Sequence, residues 1–236
     1  MKFLIATVLL LMIDPPDFKE QQLKFDRVKS AYEEKEATVK KLLSDKKIER
    51  GFKLFIRAFK KEQILEVWVA KSDAWQLLTT YDFCTTSGKL GPKRKEGDLQ
   101  IPEGVYHINH FNPFSVFHLS LGINYPNASD KILSDKKAPG GAIYIHGNCV
   151  TIGCIPITDD KIKELYILAV ESRNSGQAKI PVHIFPSRDF DSLIKEAGAN
   201  TGFWTNLKTI YDDFESTKKL RQVTVNKTGV YSLTSN

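Results

Sequence analysis

Three β-rich runs between residues 52 and 83 constrain the fold of this chain more than any other feature. The first run, residues 52–59, has the sequence FKLFIRAF, and residues 64–70 and 76–83 have a similar character. Only short polar segments, Lys60-Lys61-Glu62 and Ser72-Asp73, separate the runs. β-Branched and aromatic runs joined by such short turns predict sequential antiparallel strands, that is, a meander. We therefore expect a sheet at the centre of the fold.

Further strands are expected after the meander. β-Rich patterns occur at residues 102–108, 116–121, 142–145 and 180–185. Residues 124–141, in contrast, are polar and rich in turn-forming residues, which predicts a loop.

Apolar side chains at helical spacing predict helices on both sides of the sheet region. Before it, residues 17–47 are typical of one long or two short amphipathic helices. After it, an apolar stripe starts near Thr158 and ends at Asn174, and a second stripe runs from Phe203 to Phe214. These patterns predict a fold that is mainly β with flanking helices (α+β).

The N-terminus resembles a secretory signal. A positive start, Met1-Lys2, precedes an apolar run at residues 3–13, which Asp14-Pro15-Pro16 ends. The run is too short to span a bilayer and fits a signal, although a small-x-small cleavage site is absent. The alternative is a buried N-terminal strand or helix. We expect export to the periplasm or cell envelope, with residues 1–16 as the signal segment and the only membrane contact.

Charge and composition restrict the partners. Among 236 residues, 34 Lys and Arg oppose 28 Asp and Glu, which gives a formal net charge of +6. Such a modest excess of scattered lysines favours an acidic partner or surface. No nucleic-acid-binding motif is present, so we expect no nucleic acid among the partners.

The cysteines are odd in number: Cys84, Cys149 and Cys154. In an oxidising compartment one of them stays free or pairs between molecules. A disulfide between Cys149 and Cys154 can be imagined across the short glycine loop, but we expect Cys149 to be a packed thiol. Neither a Cys-x-x-Cys motif nor a His/Cys spacing typical of zinc is present, so no metal and no cofactor are expected.

Cys154 is the sharpest chemical signal. His146 precedes it by eight positions (154 − 146), and Gly147 and Gly153 let the intervening loop fold back so that the two side chains meet. This predicts a nucleophilic thiol with a histidine base, and an oxyanion hole from the N–H groups of Gly153 and Cys154. Because the loop holds no carboxylate, the carbonyl of Gly147 is the candidate for orienting His146. The alternative is a glycine-rich turn with a structural histidine, and spacing alone does not separate the two.

The same segment resembles the YkuD-type L,D-transpeptidases, and more closely their YafK-like branch. His146-Gly147 matches the first catalytic element of that family, and Thr151-Ile152-Gly153-Cys154 matches the nucleophile loop. Residues 91–106 resemble the family's Thr-Pro-x-Gly-x-Phe segment, and residues 117–127 are also similar to the YafK-like branch. The resemblance extends over residues 52–185.

Three departures from the family pattern concern the outcome of the reaction. Ile152 replaces the histidine that usually precedes Gly-Cys, and Pro156 replaces a polar or arginine residue. The spacing from histidine to cysteine is also about half that of most transpeptidases. The resemblance therefore implies the nucleophile more firmly than it implies transfer to an amine.

The resemblance implies a YkuD-type catalytic fold and a reaction on peptidoglycan stem peptides through a Cys154 acyl-enzyme. The resemblance and the patterns along the chain together predict the domain boundaries: a signal segment at 1–16, a helical segment at 17–50, the catalytic domain at 51–186 and a C-terminal extension at 187–236. The alternatives are a hydrolase that cleaves peptidoglycan peptide bonds or protein–peptidoglycan bonds, with a wall-linked protein as partner, and a non-catalytic wall-binding module.

Candidate substrate-binding residues are weaker predictions. The resemblance includes His118, which we expect either in the substrate cleft or in a structural role. Tyr144 alternates to the same face as His146 and either contacts substrate or only packs. Arg94, with Lys93 and Lys95, is expected either to meet stem-peptide carboxylates or to form a solvated loop.

Overall fold

A computed structural model of the chain describes residues 17–72, 74–196 and 198–234. The expected signal segment at residues 1–16 lies outside these ranges. The main sheet is built from β1 Lys53–Phe59, β2 Ile64–Ala70, β3 Gln76–Asp82, β4 Gly104–Asn112, β5 Ser120–Ile123, β6 Tyr144–His146, β7 Ile155–Pro156 and β8 Pro181–Phe185. These eight strands lie in the order β3-β2-β1-β8-β4-β5-β6-β7. Pairs β1–β8 and β6–β7 are parallel, and the other neighbours are antiparallel.

Helices surround the sheet, and a small hairpin completes the C-terminal part of the described chain. They are α1 Phe18–Gln22, α2 Asp26–Asp45, α3 Ala128–Leu133, α4 Thr158–Asn174, α5 Phe190–Glu196 and α6 Thr201–Thr217, followed by β9 Val223–Val225 and β10 Tyr231–Leu233. Within the described part of the chain, no helix is long and apolar enough to cross a bilayer.

The predicted meander is confirmed, since β1, β2 and β3 pair antiparallel in chain order. Strand β1 is buried on both faces. Its residues Leu54 and Ile56 lie in the core with α2 and α4, whereas Phe55 packs against Phe214 of α6. Helices of both flanking segments thus cover opposite faces of the central strands, and burial of both faces gives β1 its nearly continuous apolar character.

The expected fold class is confirmed: the protein has a mixed sheet with flanking helices (α+β). Helix α4 begins at Thr158 and ends at Asn174, as predicted. The N-terminal helical segment consists of one short helix, α1, followed by one long helix, α2, whereas one long or two short helices were expected.

Two local predictions are wrong. Residues 116–121 do not form one strand, because β5 begins only at Ser120 and His118 has a left-handed backbone with φ 71°. The segment before it is a loop whose apolar side chains face a cleft. Residues 124–141 contain α3, which Asn127 and Asp130 start with a reciprocal capping box. This Asn-x-x-Asp pattern was a readable signal.

Candidate active site

The loop of residues 147–154 connects two adjacent parallel strands. Ile145 pairs with Ile155 and His146 pairs with Pro156, so the chain returns beside the strand that it has just left. This return places Cys154 next to Tyr144, whose backbone N–H donates to the Cys154 sulfur at 3.4 Å. The thiol in turn lies 3.7 Å from the carbonyl oxygen of Ala142. Cys154 is a free cysteine and is partly exposed.

His146 is oriented by its own loop. Its Nδ1 lies 2.5 Å from the carbonyl oxygen of Gly147, which makes Nδ1 the protonated nitrogen because a carbonyl only accepts. The ring stacks on Phe117 with centroids 4.7 Å apart, and only 1% of the residue is exposed. Nε2 is buried and has no hydrogen-bond partner. The unprotonated nitrogen is therefore available as a base.

Gly147 is required for close approach. A Cβ at this position would lie 2.4 Å from Asp159 Oδ1 and 2.9 Å from the carbonyl oxygen of Phe117. Asp159, in the first turn of α4, accepts a hydrogen bond of 2.7 Å from the backbone N–H of Asn148. The start of α4 therefore holds the loop directly after the histidine, and a side chain at Gly147 would displace it.

Thr151 organises the end of the loop that carries Cys154. Its Oγ1 accepts hydrogen bonds from the N–H groups of Gly153 at 3.1 Å and Cys154 at 2.8 Å, and donates to the Cys154 carbonyl at 2.8 Å. The two amide groups expected to form an oxyanion hole are thus already engaged. A substrate oxygen would have to share them with Thr151 or displace its hydroxyl. Gly153 adopts φ 137°, a conformation that favours glycine.

A disulfide between Cys84 and Cys149 anchors the middle of the loop to the residues after β3. The expectation that Cys149 is a packed thiol is therefore wrong, and a Cys149–Cys154 disulfide does not form because Cys149 is already paired. The backbone N–H of Cys84 also donates to the carbonyl of Pro156 at 3.0 Å. One covalent and one hydrogen-bonded link thus hold both sides of Cys154.

Burial sets the protonation states of the two reactive groups. It raises the pKa of the Cys154 thiol, although the Tyr144 N–H and the charge of Lys93 oppose the effect. Burial also lowers the pKa of His146, against the opposing bond to Gly147. At neutral pH the pair is consequently a neutral thiol and a neutral imidazole rather than a thiolate and an imidazolium.

The thiol and the imidazole line one cavity of about 570 Å³, and Tyr144 lines it with them. Its rim carries large apolar side chains that are unusually exposed, with Phe114 at 75%, Val116 at 87% and Ile152 at 78%. Exposed apolar residues grouped at one cavity are typical of a binding site. These residues explain why the sequence around 116 resembles a strand without being one.

Arg94, expected to bind substrate, does not line this cavity. Its guanidinium lies 3.7 Å from Asp130 and packs over the ring of Phe203. Lys93 is buried rather than solvated, because it pairs with Asp98 at 2.6 Å and donates to the carbonyl of Lys95. The basic loop therefore serves the packing of the domain.

His118 does not line the cavity either. Its carbonyl oxygen accepts a hydrogen bond from the Arg27 guanidinium, which also binds the carbonyl of Ser115 at 2.6 Å. Through these bonds α2 supports the loop that carries Phe117. In the described ranges no group of three His, Cys, Asp or Glu side chains converges on a candidate metal site.

Sequence reasoning missed three residues of the site, namely Phe117, Asp159 and, as a positioning residue, Thr151. Thr151 stood inside the recognised motif, so its hydroxyl was a readable signal. Phe117 and Asp159 meet the loop only in three dimensions, and no spacing along the chain indicated those contacts.

Comparison with known proteins relates this site to one family. The family model described as the L,D-transpeptidase catalytic domain (YkuD) matches residues 55–184. The chain is 36% identical over 179 residues to "Putative L,D-transpeptidase YafK" of Escherichia coli (strain K12), covering 74% of this chain and 72% of that protein. The protein of the same name in Escherichia coli O157:H7 matches to the same extent.

Solved structures show a more distant likeness. The helical cell shape determining protein Pgp2 from Campylobacter jejuni aligns with 17% identity and a TM-score of 0.47, covering 74% of this chain and 73% of Pgp2. For a point mutant of Pgp2 the alignment covers 67% of this chain and 58% of that chain, with 22% identity and a TM-score of 0.47.

Proposed function

The chain belongs to the YkuD family of L,D-transpeptidase catalytic domains, and from that membership we propose that it is a cysteine-dependent L,D-transpeptidase acting on peptidoglycan stem peptides. Its role is then in cell wall biogenesis or remodelling. The observation that supports this proposal best is the free thiol of Cys154 in one cavity with the unpartnered Nε2 of His146. A nucleophile and a base that share a cavity are the minimum for acyl transfer.

The first half of the proposed reaction forms an acyl-enzyme. Cys154 Sγ attacks the carbonyl carbon of an L-centred residue in the stem peptide, and the thiol proton passes to His146 Nε2. The Gly147 carbonyl accepts from Nδ1–H throughout and stabilises the imidazolium that forms. His146 then returns the proton to the leaving amine as the C–N bond breaks, leaving a thioester.

The second half decides between transfer and hydrolysis. An acceptor amine that attacks the thioester forms a new amide, and its proton returns through His146 to the Cys154 sulfur. Water at the same step gives a free acid, which makes the chain a hydrolase of peptidoglycan peptide bonds or of bonds to a wall-linked protein. Ile152 stands where the family usually has histidine, and its side chain is exposed at the rim of the cavity. This departure is the reason why both outcomes, transfer and hydrolysis, are tested below.

Two features typical of exported proteins support the proposal, because peptidoglycan lies outside the cytoplasmic membrane. The Cys84–Cys149 disulfide is a bond of oxidising compartments, and the apolar run at residues 3–13 resembles a signal. We propose a location in the periplasm or cell envelope. Fractionation with a cytoplasmic marker tests it, and recovery of the protein with its cysteines reduced in the cytoplasm would contradict it.

The reaction is tested with purified sacculi and soluble muropeptides, comparing the wild type with Cys154→Ala. Mass spectrometry of the products distinguishes a new amide from a water-derived acid. We expect one of the two with the wild type and neither with the variant. An unreactive Cys154 thiol together with retained binding to sacculi would instead indicate a non-catalytic wall-binding module.

A further inference from the structure

A second cavity, of about 430 Å³, lies beside the sheet that carries the active site. Residues of β4, the segment before β8, the end of α4 and α1 line it. Its walls include His107, His110, Arg173 and Lys179, with Phe18 as an apolar side. We propose that this cavity binds a carboxylate of the acceptor peptide, an inference that rests on the proposed transpeptidase function.

Uncompensated positive charge is the first observation behind this assignment. No Asp or Glu is among the described residues that line the cavity. Within the described ranges, the Lys179 ammonium has no hydrogen-bond or ion-pair partner. The ring of His107 also has no such partner, and because burial and Lys179 lower its pKa it contributes a neutral N–H donor rather than a charge. Arg173 donates from Nη1 to the carbonyl of Ala178 and lies over the ring of Phe18, and its other N–H groups have no hydrogen-bond partner within the described ranges. Such donors around one concave site attract an anion, and a carboxylate suits the fork of an arginine.

A direct link to the active site is the second observation. His110 pairs with Gly122 across β4 and β5, and Gly122 pairs with Tyr144 across β5 and β6. His110 Nδ1 lies 3.3 Å from the Tyr144 hydroxyl. The backbone N–H of Tyr144 donates to the Cys154 sulfur. One row across the sheet therefore connects the wall of the basic cavity to the nucleophile.

Gly122 leaves room for the Tyr144 ring to lie across this row and reach His110. A Cβ there would lie 2.9 Å from Tyr144 Cε1 and 3.1 Å from His110 Cβ, so any larger residue would separate the two side chains. Strands lie about 4.8 Å apart, so the row from β4 to β7 spans roughly 14 Å. An extended peptide covers that distance with about four residues. A peptide whose carboxylate occupies the cavity can thus present an amine to the thioester on Cys154.

The chemistry of the acceptor step follows from this placement. The amine nitrogen attacks the thioester carbonyl, a C–N bond forms and the C–S bond breaks. The amine proton passes to His146 and then to the Cys154 sulfur, so the enzyme returns to its starting state. The carboxylate in the cavity takes no part in bond making and only holds the acceptor in place.

The test compares Lys179→Glu with Lys227→Glu, which makes the same change of charge at an exposed turn remote from both cavities. The acceptor is one short peptide prepared as the free acid and as the carboxamide. Its dissociation constant is measured by calorimetry on the Cys154→Ala background, and acyl-enzyme formation is measured separately by intact mass on the Cys154 proteins. We expect the acid to bind at least about tenfold more tightly than the amide, because a hydrogen bond to a charged group contributes enough binding free energy for that ratio. Lys179→Glu should abolish this preference.

Equal binding of the acid and the amide, or equal effects of Lys179→Glu and Lys227→Glu, would overturn the assignment. Acyl-enzyme formation should be unchanged in both charge variants. If the wild type forms no acyl-enzyme while Lys179-dependent binding of the acid persists, the proposed reaction fails and the anion site stands. If the wild type forms a normal acyl-enzyme but binds the acid and the amide equally, the anion site fails and the proposed reaction stands.

Discussion

Removing the Cys84–Cys149 disulfide should both destabilise the protein and disable Cys154. The bond closes a loop with a sequence separation of 65 residues. The chain-entropy relation assigns about 4 kcal/mol to a loop of this length. For a domain of this size each kcal/mol shifts the melting temperature by about 2–4 °C, so the double variant Cys84→Ser/Cys149→Ser should melt roughly 8–16 °C lower.

The assay pairs thermal unfolding with labelling of Cys154 by a thioester-forming donor peptide, followed by intact mass. We expect labelling to fall at temperatures where the double variant is still folded, because the loop of residues 147–154 loses its anchor to the end of β3. Cys154→Ala is the matched control: it keeps the disulfide and the melting temperature, and it loses labelling. Equal melting temperatures and equal labelling of the double variant and the wild type would refute this role of the bond.

Three further predictions concern the loop itself. Because burial raises the pKa of Cys154 and lowers that of His146, the thiolate should form only under alkaline conditions. Alkylation by iodoacetamide should therefore rise with pH through a midpoint above that of an exposed cysteine, and a plateau at neutral pH would indicate a preformed ion pair. Gly147→Ala should lower stability by about 1–3 kcal/mol through its clash with Asp159, measured by denaturant unfolding; an unchanged midpoint would show that α4 does not hold the loop. Thr151→Val should reduce the acylation rate about tenfold or more, because the two amide groups lose the hydroxyl that accepts from them. Thr151→Ser keeps the hydroxyl and should keep the wild-type acylation rate. A faster acylation by Thr151→Val would mean that the hydroxyl only obstructs the oxyanion hole.

The sequence predicted the frame of the fold because its strongest patterns are local. The meander and α4 depend on periodicity and short turns, which a single chain displays directly. The segment near Val116 misled the prediction because its apolar side chains are exposed at the cleft instead of buried in the sheet. Periodicity reports apolar character and does not report which apolar side chains remain exposed for binding.

The residues of the candidate site were likewise predictable where they lie close together in sequence, and not where they meet only in the folded chain. His146, Gly147 and Cys154 lie close together along the chain, at the end of β6 and in the loop that follows it, so spacing and family resemblance were enough to nominate them. The partner of Cys149 is Cys84, which is remote in sequence, and an odd number of cysteines did not determine the pairing. Arg94 was nominated from its charge alone, and in the structure its guanidinium lies beside the carboxylate of Asp130 instead of in the cavity.

The central claim is that Cys154 carries the acyl group, and intact mass spectrometry after brief incubation with a stem-peptide donor tests it most directly. We predict an adduct equal to the donor minus its leaving group, located on the peptide that contains Cys154, and its conversion to an amide or an acid on further incubation. Cys154→Ala, which has no nucleophile at this position, should show no adduct. A wild type without any adduct that still turns over the donor, or an adduct that persists in Cys154→Ala, would contradict the account.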